Sequence, residues 1–286
     1  MRLEAFAKVN LSLEVYAKRP DGYHDLRSVV LPVALSDTVD VEVRGDGLVT
    51  TDTAYGENDL AVKAALALRE SASVSASRGA DIRIRKRIFA GGGLGGGSAD
   101  AAAVLRALNV LWGAGMPVEE LAAVGARVGS DVPALVLAQH FLRPVLMEGR
   151  GEKVAVAGLD VLQGFGIGDS MVLANPGVHS STAEVYARCV PRRGRPAGPV
   201  NDLQEAACAM HPGIAAALSA LSAAGASGVM MSGSGATVFG FAESECEAAK
   251  IAAAMAKAGF AAVATRPAGS VKQTDFRWAS CPQKMV

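Results

Sequence analysis

A run of glycines at residues 91–97 constrains the fold more than any other feature of this sequence. Before the run, Ile82 and Ile84 alternate with arginines, which predicts an edge strand; after it, apolar residues recur every 3.6 positions over 99–112, which predicts a helix. Glycines at a helix N-terminus let phosphate oxygens approach unpaired N–H groups. The run therefore predicts a phosphate-binding loop. Its residues are Gly91, Gly92, Gly93, Leu94, Gly95, Gly96, Gly97 and Ser98.

The glycine run alone does not identify the phosphate ligand. Gly91, Gly93 and Gly96 match the spacing of a dinucleotide-binding loop, but the acidic residues about 20 positions further on begin a predicted helix instead of ending a strand. No Gly-Lys-Ser or Gly-Lys-Thr occurs, which excludes a Walker A loop. Ser98 is placed to cap the helix or to offer its hydroxyl to a phosphate. A flexible connection is the other alternative, although so many glycines make it entropically costly.

The remaining pattern mixes strands and helices. An opening strand of alternating residues is expected to be half-buried, with Lys8 and Asn10 together on its polar face. Beyond a linker candidate at 191–200, the predicted order is helix, strand, strand, helix, strand, which indicates a split βαβ arrangement on an antiparallel sheet. The first half lacks regular βαβ alternation, so the class is α+β. We expect two domains, 1–190 and 200–286.

Composition excludes several classes of protein. The 28 basic and 28 acidic residues cancel, so charge gives no reason to expect nucleic acid or an anionic membrane as a partner. No stretch approaches the roughly 18 apolar residues of a membrane-spanning helix. The four cysteines lack the spacing of a zinc site, and their scatter is typical of a reducing compartment. We therefore expect a cytoplasmic protein.

Three segments, in this order along the chain, resemble the motifs of the GHMP kinases, which include galacto-, homoserine and mevalonate kinases. They are Ala-Lys-Val-Asn-Leu at 7–11, Gly-Leu-Gly-Gly-Gly-Ser-Ala-Asp at 93–100 and Met-Ser-Gly-Ser-Gly at 231–235. Two more, at 19–24 and 129–133, are similar to one branch of the family that serves the non-mevalonate route to isoprenoid precursors. The resemblance implies a mixed α/β N-terminal domain, a ferredoxin-like C-terminal domain, and phosphoryl transfer from ATP with Mg²⁺.

The resemblance also implies that Lys8 and Asp131 are the catalytic pair. A carboxylate beside the attacking hydroxyl can accept or orient its proton, and an ammonium stabilises the negative charge that develops. Taken alone, Asp131 is more typical of a helix cap, since Pro133 suits a first helical turn, and Lys8 of a lysine on the surface of a strand; the accompanying motifs favour catalysis for both. The positions of both side chains in the structure are needed to distinguish a catalytic role from a structural one.

The substrate that the resemblance implies is a cytidine diphosphate-linked methylerythritol, phosphorylated on its 2-hydroxyl. Tyr23 and Tyr186 would sandwich the cytosine, where stacking contributes about 1–3 kcal/mol per contact, and His24 would bond to the edge of the base. Other implied substrate-binding residues are Asn10, Thr182, Gly233 and Ser234.

Two alternative functions remain at this level. A GHMP kinase of the mevalonate or homoserine type would have no use for residues that stack on a base. A non-catalytic binding protein of the same fold would be expected to lack Lys8, Asp131 or the glycine run, and all three are present. We expect a small-molecule substrate as the partner, with neither nucleic acid nor membrane, and a monomer or weak homodimer.

Overall fold

The chain folds around two β-sheets in the computed structural model, which describes residues 1–158, 165, 167–191 and 200–270. The linker predicted at 191–200 lies outside the described residues except for its two end positions. Cys281 also lies outside them. The elements below refer to the described residues only.

The first sheet has six strands in the described part of the chain. They are β1 (Arg2–Lys18), β2 (His24–Arg44), β3 (Val49–Thr51), β4 (Gly79–Arg85), β5 (Val145–Gly149) and β6 (Lys153–Val156). The order is β3-β4-β2-β5-β6, with β1 paired to β2 along most of its length. The prediction of an edge position for β4 is wrong, because the short strand β3 pairs with its outer side.

Both faces of β1 are buried around Lys8 and Asn10, so the prediction of a half-buried strand is wrong there. The cover comes from distant segments of the chain. The Lys8 N–H donates to the Leu94 carbonyl at 3.0 Å, and the Asn10 N–H donates to the Ser232 hydroxyl at 3.3 Å. An alternating sequence predicts a polar face, but it does not tell whether that face meets water or another part of the protein.

Four helices pack with the first sheet. They are α1 (Leu60–Ser71), α2 (Gly96–Leu111), α3 (Val118–Gly125) and α4 (Val132–Phe141). Helices α2 and α4 contact β1 and β2, while α1 packs on α2, and α3 packs mainly on α4. The helix predicted after the glycine run is present and begins three residues early, since Gly96 and Gly97 already have helical backbone. Helix α4 is apolar and buried on nearly all sides, and therefore has no amphipathic period to reveal it.

The second sheet is antiparallel, with the order β10-β7-β9-β8. Its strands are β7 (Ser170–Asn175), β8 (Ser227–Met231), β9 (Val238–Ala242) and β10 (Ala261–Thr265). The predicted order of helix, strand, strand, helix and strand is present, and the α+β class is confirmed. Because β7 comes from before residue 190, the second sheet draws on both predicted domains. The division between residues 190 and 200 stays a prediction.

The helices that accompany the second sheet are α5 (Thr182–Arg188), α6 (Gln204–Met210), α7 (Pro212–Ala223) and α8 (Glu245–Lys257). Helix α7 packs on β7, β8 and β9, and α8 packs on β7, β9 and β10. Within the described ranges, no single helix is long and apolar enough to cross a membrane; α6 and α7 reach that length only when taken together, across a bend of 117°.

A continuous apolar core runs through both sheets. At its polar edge, the segment between β4 and α2 lies between β1 and the turn that joins β8 to β9. The Thr237 N–H donates to the Gly92 carbonyl at 3.0 Å, and the Leu13 N–H donates to the Val200 carbonyl at 2.6 Å. The three segments that the sequence singled out are therefore neighbours in the fold.

Candidate active site

The glycine loop, residues 86–95, ends at Gly95, which precedes α2 with a left-handed backbone (φ +68°). Gly93 is also left-handed (φ +74°), and a Cβ there would collide with the carbonyl oxygen of Ser232. Side chains are thus excluded where the loop meets the β8–β9 turn. Ser98 lies in the first turn of α2 and not at its cap, so the capping alternative is wrong. The arrangement leaves the N-terminal N–H groups of α2 for an anion.

Lys8 and Asp131 meet beside this loop. Lys8 Nζ lies 3.4 Å from Asp131 Oδ2; the lysine side chain is 4% exposed and the carboxylate 33%. Asp131 occupies the N-cap position of α4, yet its side chain makes no capping bond within the described residues. The carboxylate is directed toward the lysine, so the helix-cap reading does not describe it. Lys8 is not a surface lysine either, because β1 is buried at this point.

A chain of buried hydrogen bonds orients Lys8. Its Nζ donates to Asn10 Oδ1 at 2.5 Å, and Asn10 Nδ2 donates to Ser28 Oγ at 2.7 Å. Ser28 Oγ in turn donates to the Ser12 carbonyl at 2.5 Å. The sequence predicted Asn10 as a substrate-binding residue; in the fold its amide bonds to Lys8 and Ser28. Such a satisfied polar network fixes the position of the ammonium.

The β8–β9 turn closes the site from the second sheet. Asn201 Nδ2 donates to the carbonyls of Met231 and Gly233, both at 2.8 Å. The Ser234 hydroxyl lies 2.8 Å from the Thr182 hydroxyl. A Cβ on Gly233 would lie 3.3 Å from Lys8 Nζ, which places this glycine directly against the ammonium that faces Asp131. Gly233, Ser234 and Thr182, all predicted as substrate-binding, are therefore close together.

Of the predicted base-binding residues, Tyr186 lies near Asp131 and contacts His24. The His24 and Tyr186 rings are stacked, with centroids 5.7 Å apart and an interplanar angle of 28°. Burial raises the pKa of the Tyr186 hydroxyl, and the negative charge of Asp131 raises it further. Tyr23 is 57% exposed, and the guanidinium of Arg150 lies over its ring, 5.4 Å from the centroid.

Sequence reasoning missed several residues of this region. Arg150, which contacts Tyr23, lies in a turn between β5 and β6 whose residues 149–152 resemble the family, although the sequence assigns it no role. Ser28 is one of many serines and carries no local signal. A Cβ on Gly91 would collide with the ring of His179, a histidine to which the sequence assigned no role. Asn201 belongs to a segment, 201–203, that also resembles the family, but the sequence assigns this residue no role. The contacts of these residues become visible only when distant segments are brought together.

Comparison with known proteins identifies the family. The family model described as GHMP kinases N terminal domain matches residues 59–139, and the one described as GHMP kinases C terminal matches 187–261. The chain belongs to the GHMP kinase family. It is accordingly an ATP-dependent kinase of small molecules, and the glycine cradle beside the N-terminus of α2 fits a phosphate donor.

One curated relative and two solved structures illustrate the similarity. The 4-diphosphocytidyl-2-C-methyl-D-erythritol kinase of Citrifermentans bemidjiense is 38% identical, over 93% of this chain and 98% of the relative. A crystal structure of 4-(cytidine 5'-diphospho)-2C-methyl-D-erythritol kinase superposes with a TM-score of 0.78 at 33% identity, over 93% of this chain and 98% of that one. Homoserine kinase from Cytophaga hutchinsonii (TM-score 0.68, 18% identity, 93% and 94% covered) shares the fold.

Proposed function

We propose that this GHMP kinase transfers the γ-phosphoryl group of ATP to the 2-hydroxyl of 4-diphosphocytidyl-2-C-methyl-D-erythritol, a step in the non-mevalonate formation of isoprenoid precursors. The observation that carries the proposal is the Lys8–Asp131 pair, 3.4 Å apart, with Gly95 of the glycine loop against the lysine and Tyr186 near the carboxylate. Relatives that bear this name, and match the chain almost from end to end, support it.

In the proposed reaction the hydroxyl oxygen attacks the γ-phosphorus while the bond to the leaving ADP oxygen breaks. Asp131 accepts or orients the hydroxyl proton, for which its partial exposure leaves access. Lys8, buried and held by Asn10, places its positive charge where negative charge builds up on the transferred group. Phosphoryl transfer needs mainly such positioning and charge stabilisation.

The donor would lie along the glycine loop with its phosphates at the N-terminus of α2. Mg²⁺ usually reaches such sites with the phosphates as its ligands and with few protein groups. The described residues contain no group of three His, Cys, Asp or Glu side chains placed to hold a metal ion, so we expect the phosphate oxygens to supply most of its coordination. The ion would then neutralise phosphate charge during transfer.

On the acceptor side, the base would lie among Tyr23, His24 and Tyr186. The stacked His24 and Tyr186 rings place aromatic groups near Asp131, and Tyr23 adds a further ring that is exposed to solvent. Gly233, Ser234 and Thr182 would contact the part of the substrate near the reacting hydroxyl. Aromatic rings of this kind can stack on the base of a cytidylyl group, whereas homoserine and mevalonate have no ring for such a contact.

We also propose that the enzyme acts in the cytoplasm on free small molecules, as a monomer or weak homodimer. Cys208 and Cys246 are free in the described part of the chain, and the zero net charge gives no attraction to nucleic acid or anionic lipid.

A substrate panel tests the proposed function. ADP release with Mg·ATP would be measured for the cytidylyl substrate, mevalonate, homoserine and galactose, with Lys8→Ala as the inactive control. We expect turnover of the cytidylyl substrate alone. Turnover of a different alcohol would support the kinase activity but contradict the proposed binding of a cytosine base. If none of the four compounds causes ADP release while ATP still binds, the result would favour a non-catalytic binding protein.

Tyr23→Ala separates the two substrates within the same assay. Because the ring would stack on the cytosine, the variant should raise KM for the cytidylyl substrate about tenfold or more and leave KM for ATP nearly unchanged. An equal rise in both constants would contradict a base-binding role for Tyr23.

A further inference from the structure

Three charged side chains meet where the glycine loop begins, away from the catalytic pair. Lys86 Nζ lies 2.5 Å from Asp37 Oδ2 and 2.6 Å from Asp100 Oδ2. Asp37 belongs to β2 and Asp100 to α2, and both carboxylates are almost completely buried. One lysine thus joins the sheet, the entry of the loop and the helix at its exit.

Asp37 also holds the loop entry through the backbone. Its Oδ1 accepts the N–H groups of Arg87 and of Ile88, the latter at 2.8 Å. The residues that follow Lys86 therefore cannot leave β2 without stranding a buried carboxylate, which carries a large free-energy penalty. Asp100 restrains the other end of the loop, because it lies one turn inside α2.

The charges of this cluster do not balance. Two carboxylates share one ammonium, and Asp100 Oδ1 is buried with no hydrogen-bond partner in the described part of the chain. Burial raises the pKa of Asp100 to about 7; the charge of Lys86 opposes this rise and that of Asp37 adds to it. Ion pairs between these buried carboxylates and a lysine that is 43% exposed contribute little net stability. Their effect here is geometric, since they set where both ends of the loop lie.

We propose that Asp37, Lys86 and Asp100 are positioning residues for ATP, which hold both ends of the glycine loop so that its N–H groups face the phosphates. The inference rests on the proposed function and deepens it. None of the three needs to touch the nucleotide. A loop held in its binding geometry spares ATP the cost of ordering it.

The test measures binding, not turnover. Isothermal titration calorimetry would give Kd for a non-hydrolysable ATP analogue and for the cytidylyl substrate. Lys86→Met should raise the analogue's Kd about tenfold, since small displacements of positioning groups have effects of this size or larger. Lys86→Arg keeps the charge and should restore much of the affinity. Lys250→Met is the matched control, because Lys250 forms an exposed pair with Glu247 at 3.3 Å on α8.

Lys86→Met leaves two carboxylates facing each other, so a double variant with Asp100→Asn guards against loss of folding. It should melt near the wild-type temperature and still bind the analogue weakly, with the Kd of the cytidylyl substrate unchanged. Unchanged analogue affinity in a folded Lys86→Met or double variant would overturn the proposal, as would an equal loss of both ligands. If the wild type fails to turn over the cytidylyl substrate but the analogue still responds to Lys86, the substrate assignment falls and the positioning role stands.

Discussion

At the scale of single residues, a substitution of Asp131 should change the rate of the reaction without changing the stability of the fold. Its carboxylate makes no capping bond within the described residues, so Asp131→Asn removes charge without removing a helix cap. We expect kcat to fall by roughly 10²–10⁴-fold because assistance to proton transfer is lost. The Kd of an ATP analogue should change little. Rapid-quench kinetics and calorimetry measure the two quantities, with Asp46→Asn in an exposed turn as control. Near-wild-type turnover would remove Asp131 from the mechanism.

A second residue-scale prediction concerns Asp100 and pH. Its pKa is raised from 3.8 to about 7, chiefly by burial. Between these values the folded chain keeps a proton that the unfolded chain releases, so this carboxyl makes the free energy of unfolding fall as pH rises. The slope is on the order of 1 kcal/mol per pH unit.

Urea unfolding of the wild type and Asp100→Asn across pH 4–7 measures this slope. The wild type should lose stability relative to the variant as pH rises, since asparagine does not titrate. A constant difference between the two proteins would show that Asp100 titrates near its ordinary pKa, and a difference that grows in favour of the wild type would show that its pKa is lowered.

At the scale of elements, the contact between the glycine loop and the β8–β9 turn can be measured with two glycines. Gly93 and Gly113 both have left-handed backbones, but only a Cβ at Gly93 meets another segment, the Ser232 carbonyl; none of the described atoms lies within 4 Å of one at Gly113. Either substitution by alanine costs about 1 kcal/mol of backbone strain. Gly93→Ala should cost roughly 1–3 kcal/mol more because the two segments are forced apart.

Urea unfolding gives these differences, and calorimetry shows whether the ATP analogue binds more weakly to Gly93→Ala alone. Equal stabilities and affinities for the two variants would mean that the turn yields without disturbing the loop. The pair therefore separates the strain at one residue from the contact between two elements.

The element scale also shows how far the sequence could predict this protein. The glycine loop, α2 and the succession of helices and strands after residue 200 follow from local patterns, because backbone freedom and periodicity depend on neighbouring residues. The burial of Lys8 could not be predicted in this way. It depends on distant segments, because Leu94 accepts the Lys8 N–H and Gly233, far along the chain, lies against the lysine ammonium.

Local patterns also could not predict the cluster of Asp37, Lys86 and Asp100 or the helix α4. Asp37 and Lys86 are 49 residues apart, and each alone is typical of a solvated surface. Helix α4 has no polar face, so periodicity could not mark it, although it carries Asp131 at its start. The role proposed for Asp131 comes from the family resemblance. Its position beside Lys8 comes from the fold and could not be predicted from neighbouring residues.

At the scale of the whole molecule, the site is built from both sheets, so folding and ligand binding should be coupled. One apolar core includes Val9 of the first sheet and Phe239 of the second, and the Thr237–Gly92 bond joins their loops. We therefore expect one calorimetric transition on heating. An ATP analogue at 100 times its Kd should stabilise that whole transition by about 2.7 kcal/mol. Two transitions, of which the analogue moves only one, would show that the sheets unfold independently and that the loops carry no coupling.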